Sequence, residues 1–132
     1  MPTPTSLDDL SRALADPRPE VVLTACWQAF DVGLELAHAV AWQDGFDELQ
    51  ALVTTQLCAE GRSLLPLPRD GDPVTPPAAS PATANRCAEL LDGVRAALTS
   101  LTDSPELPAE SLRQTAALAQ QAAQSLHALP AE

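Results

Sequence analysis

Residues 20–42 read EVVLTACWQAFDVGLELAHAVAW, and the placing of polar residues in that run decides the fold. After Glu20 the polar side chains are Thr24, Gln28, Asp31, Glu35 and His38, spaced four, three, four and three. At about 100° per residue those five share one narrow stripe of a helix whose remaining surface is apolar. A helix apolar nearly all round must be enclosed by other helices or by a second chain. The run therefore predicts the central helix of a bundle, carrying one polar seam. Leu23, Trp27, Phe30 and Leu34 form a bulky ridge on it, and Ala29, Gly33 and Ala37 form a strip that a neighbour can approach closely.

Composition agrees with an all-α chain. Ala and Leu carry most of the 45% hydrophobic content, while aromatics are limited to Trp27, Phe30, Trp42 and Phe46, and Tyr is absent. Strand-forming residues are scarce in such a mixture. A length of 132 residues corresponds to a single domain, 1–132.

Outward from the central run, Ser6 is placed to cap a short first helix with Leu7, Leu10 and Leu14 on one face, ended by Asp16-Pro17. Asp16 reads as the cap of the central helix, with Pro17 and Pro19 in its first turn. The segment Trp42-Gln43-Asp44-Gly45-Phe46 predicts a tight turn with Gly45 as breaker. A third helix then runs from Asp44 or Gly45 to about Glu60, with Phe46, Leu49, Val53 and Leu57 facing inward and Gly61 as its stop. So short a connection sets these two helices antiparallel. Residues 66–81 hold six prolines and predict an extended linker. From Ser80-Pro81 to about Thr102, Ala84, Cys87, Leu91, Val94, Leu98 and Leu101 recur at heptad spacing. Asp103-Ser104-Pro105 breaks that helix, and a fifth runs from near Pro108 to about Leu129, with Leu112, Ala116, Ala119, Ala123 and Leu126 inward. The expected architecture is an antiparallel four-helix bundle with a short extra N-terminal helix.

The formal charge of −11 excludes several functions. There is no Lys, and the seven Arg residues are dispersed, so phosphate backbones and anionic bilayers are disfavoured as partners. Three cysteines, Cys26, Cys58 and Cys87, with no C-x-x-C, fit free thiols in a reducing cytoplasm. The opening MPTPTSLDD lacks the basic and apolar segments of a signal peptide. Arg-only basicity with high Ala and Pro points to a GC-rich bacterial genome.

The seam also holds the residues best suited to chemistry. Asp31, Glu35 and His38 include Glu35-x-x-His38, the spacing that aims a carboxylate and an imidazole at one ion in di-metal bundles. The matching pair is missing, because His127 stands in Gln124-x-x-His127 with an amide in place of the carboxylate. No hydrolase elbow, phosphate loop or Cys–His dyad occurs, since Cys26 and His38 are about 18 Å apart along one helix. The reading is a non-catalytic interaction or regulatory module without a cofactor. Trp27, Phe30, Leu34, Trp42 and Phe46 are its candidate contact residues, and its partner is another protein or a second copy. A metal-binding bundle using Asp31, Glu35 and His38 is the alternative.

The turn Trp42-Gln43-Asp44-Gly45 resembles the W-x-G turn of type VII-secreted helical hairpins, with one residue more between Trp and Gly. That resemblance implies a heterodimerising helical partner. The Tyr of that family's C-terminal export signal has no counterpart in a chain without Tyr. His38 on an acidic helix also resembles the histidine of phosphotransfer domains, but the basic residue and Gly that follow it there are missing.

Overall fold

A computed structural model describes residues 7–65, 80–104 and 107–129. The Ser6 cap, the Pro-rich segment 66–79 and the Pro105 break lie outside those residues. The described residues form five helices: α1 (Leu7–Leu14), α2 (Pro19–Val40), α3 (Glu48–Ser63), α4 (Pro81–Leu101) and α5 (Ala109–His127). No described helix is long and apolar enough to cross a membrane.

Local chemistry sets most of the boundaries. Asp16 does not cap α2. It accepts the backbone N–H of Arg18 at 2.9 Å and binds that residue's guanidinium, and the helix starts two residues later than expected, with Arg18 at the N-cap position and Pro19 in the first turn. This ion pair holds the Asp16 carboxyl below its ordinary value, mainly through the hydrogen bond from the Arg18 side chain. Gly45 takes φ +89°, a left-handed conformation that a side chain would strain. The chain therefore re-enters helix only at Glu48, with Asp47 accepting the N–H of Gln50 at 3.0 Å as N-cap. Ser80 caps α4 in the same way through Thr83, with Pro81 in the first turn.

α2 is enclosed as its composition demands. Twelve of its 22 residues are buried, and it packs against α1, α3 and α4 with a lighter approach to α5. α3 lies between α2 and α5, α4 between α2 and α5 on the other side, and α1 rests on α2 and α4. Much of the apolar surface of α2 is thus covered within the chain, while Leu23, Trp27 and Leu34 of the bulky ridge are half-buried. The heptad stripe of α4 points inward throughout, with Leu91, Val94 and Leu98 fully buried.

α3 departs from expectation. Leu49 and Val53 face outward, 75% and 47% exposed, and the buried face is Ala51, Thr54, Cys58 and Gly61. Gly61 is no stop: the helix continues to Ser63, and Gly61 receives the Phe30 ring. The small strip of α2 works in the same contact, since a Cβ on Gly33 would sit 2.9 Å from Cys58 Sγ. Small residues on both surfaces allow a close approach, and the larger residues of α3 are displaced to its outer side.

On its other flank α3 is registered to α5 by hydroxyls. The Ser125 side chain meets Thr54 Oγ1 and accepts Gln50 Nε2 at 2.6 Å, while Thr54 also donates to the Gln50 carbonyl. Buried hydroxyls with partners cost little, and these fix the axial position of the two helices. The Asp47 N–H donates to the Leu129 carbonyl at 2.9 Å, tying the end of α5 to the α2–α3 turn.

Candidate functional site

The polar seam of α2 is not one solvent face. Thr24 is half-buried, Gln28 and Asp31 are buried, and Glu35 and His38 are exposed. The change follows from α3, whose C-terminal turn brings Arg62 over the middle of the seam. Arg62 donates from Nη1 to Asp31 Oδ1 at 2.6 Å, and its guanidinium carbon lies 5.4 Å from the centre of the Trp27 ring. The guanidinium thus meets both neighbours at once, as a hydrogen-bond donor to the carboxylate and as a cation over the indole ring. An open depression of about 420 Å³ adjoins this cluster, lined by Trp27, Ala59, Arg62, Ser63 and Leu65.

Asp31, the innermost of the proposed metal ligands, is therefore engaged by a cation. Among the described residues no group of three or more His, Cys, Asp or Glu side chains is placed to share an ion. His127 lies at the end of α5, where its Nδ1 is 3.1 Å from Asn85 Oδ1 of α4. The three thiols are buried, one each on α2, α3 and α4. Burial pushes Cys26 and Cys58 up to about 12 and Cys87 up to about 11, so all three are protonated at neutral pH and poor nucleophiles.

The candidate contact residues divide. Phe30 is fully buried against Gly61 and belongs to the core, so it is withdrawn from the contact set. Trp27, Leu34 and Phe46 are half-buried and pack against that core. Trp42 alone of the five is fully presented, at 78% exposure. Among the described residues, the other exposed large apolar side chains are Leu49, Leu52 and Val53, at 75%, 54% and 47%. These three recur at i, i+3 and i+4, which places them on one side of α3. Trp42 stands in the turn that leads into the same end of that helix.

The sequence reading places Leu49 and Val53 in the interior, where bulky apolar residues ordinarily go, and does not assign Leu52. The available signal was a rival stripe, Ala51, Thr54, Cys58 and Gly61, at helical three-four-three spacing. Comparison with protein-family models, curated proteins and solved structures finds no match to this chain.

Proposed function

We propose that this chain is a non-catalytic protein-interaction module of the cytoplasm, an antiparallel four-helix bundle of α2–α5 with α1 packed on it. Its contact surface is the outer face of α3 together with the turn before it. The observation that carries this reading is the concentration of Trp42, Leu49, Leu52 and Val53, all strongly exposed, on one helix and its leading turn. Single exposed apolar residues are ordinary, whereas several large ones on one helical face mark a surface that meets a partner. An exposed Trp adds the residue type most often found at the energetic centre of interfaces.

The test is site-specific photo-crosslinking in the native host. A photoreactive side chain at Leu52 is compared with one at Ala96, an exposed position on α4. A discrete adduct from position 52 with none from position 96 is the expected result. Absence of any adduct from position 52 removes this surface as a docking site.

A further inference from the structure

Resting on that contact surface, we infer that its occupant is a basic amphipathic helix of another protein. Charge supplies the first argument. From Ala39 to Gly61 the chain has no Lys, Arg or His, while Asp44, Asp47, Glu48 and Glu60 are all exposed. Three of these carboxylates fall between Trp42 and Leu49 in the sequence, in the turn and first residue that lead into α3, and Glu60 lies farther along the helix. The nearest following cation, Arg62, is turned inward on Asp31 and Trp27. His127, at the end of the neighbouring α5, is held against Asn85 of α4. The patch is thus apolar at its centre and negative at its margin, and its complement is apolar with a basic margin.

Geometry supplies the second argument. Leu49, Leu52 and Val53 form a ridge of i, i+3 and i+4 positions, the form that the groove of a second helix receives. The described residues contain no strand, so they offer no sheet edge on which an extended peptide could add. A second copy of this chain fits poorly, because a symmetric pairing of this face would bring two sets of carboxylates together with no cation of residues 39–61 between them.

The probe is a fluorescent synthetic peptide of about 18 residues, five helical turns, with Leu at i, i+3, i+4 and i+7 and Arg or Lys elsewhere. Anisotropy is measured with the full chain, beside two controls: the same peptide with Glu replacing every basic residue, and a basic peptide of the same composition in scrambled order. Binding of the basic amphipathic peptide should be roughly tenfold or more tighter than either control, and Leu52→Asp or Val53→Asp should weaken it by a similar factor. Added salt should weaken it further, since its margin is electrostatic. Equal binding of the acidic or scrambled peptide, or indifference to both substitutions, overturns the inference. If the basic peptide fails to bind while Leu52 still crosslinks a host protein, the docking surface stands and the basic helix falls. If Leu52 crosslinks only to further copies of this chain, the basic helix falls in favour of self-association. If neither experiment gives a product, both are withdrawn.

Discussion

The ring of Phe30 lies against Gly61 so closely that a Cβ added to the glycine would be nearer than 3.0 Å to its Cδ1, Cε1 and Cζ atoms. Phe30 is the largest fully buried side chain, and this contact sets how near α3 can come to α2. Gly61→Ala is therefore expected to destabilise by about 1–3 kcal/mol through overpacking, against the ~1 kcal/mol that Ala would gain as a helix former. Phe30→Leu costs stability in the native background but should cost distinctly less beside Gly61→Ala, because the shared clash is relieved. Urea unfolding of the four proteins reads this directly. Simple additivity, or a stabilised Gly61→Ala, would show that the helices are not in this contact.

That contact also explains how far the fold could be read in advance. The central helix, the heptad stripe of α4 and the Gly45 turn were legible because each rests on a local signal: periodicity, or a conformation only glycine adopts readily. The orientation of α3 was not. Its sequence carries two apolar or small stripes, and the choice between them depends on the surface it meets, where Phe30, Gly33 and the hydroxyl of Ser125 favour small partners. Assigning the bulkier stripe to the interior concealed the exposed face. The seam of α2 failed for a related reason, since Arg62 reaches Asp31 from 31 residues away and no spacing within α2 announces it.

The Asp31–Arg62 pair carries a prediction of its own. Asp31 is almost entirely enclosed, while a third of the Arg62 side chain is open to solvent. Arg62→Ala leaves a buried carboxylate without its cation and should cost about 2 kcal/mol, less than the ~3–5 of a fully enclosed pair. Arg62→Lys keeps the charge but loses the guanidinium that lies over the Trp27 ring, so its cost should be intermediate. Asp31→Asn removes the charge that needs a partner, and combining it with Arg62→Ala should cost about 1 kcal/mol less than the sum of the single changes. Chemical denaturation of the four corners of that cycle measures the coupling. Agreement of the sum within a few tenths of a kcal/mol would mean that the pair contributes nothing.

Alkaline stability isolates the three buried thiols, because this chain has neither Lys nor Tyr to titrate beside them. Arg stays charged well above that range and the α-amino group titrates below it. Each thiol ionises near its ordinary 9 when the chain is unfolded, but folded Cys26 and Cys58 hold their protons to about 12 and Cys87 to about 11. The principal cause in all three is burial, which penalises the thiolate. The folded state therefore binds more protons than the unfolded state above pH ~9, and stability must fall as pH rises. Their contribution is complete below the unfolded value, declines by about 1.4 kcal/mol per thiol per pH unit, and is exhausted as each folded value is passed. Between about pH 9 and 11 the wild-type slope should approach 4 kcal/mol per unit, the share of three thiols. The variant with Cys26→Ala, Cys58→Ala and Cys87→Ala starts less stable, through lost packing, but should be nearly flat over that interval. Unfolding free energies of both proteins at half-unit pH steps, under reducing conditions, decide the matter. An equal slope in the thiol-free variant would show that the buried thiols do not govern the alkaline loss.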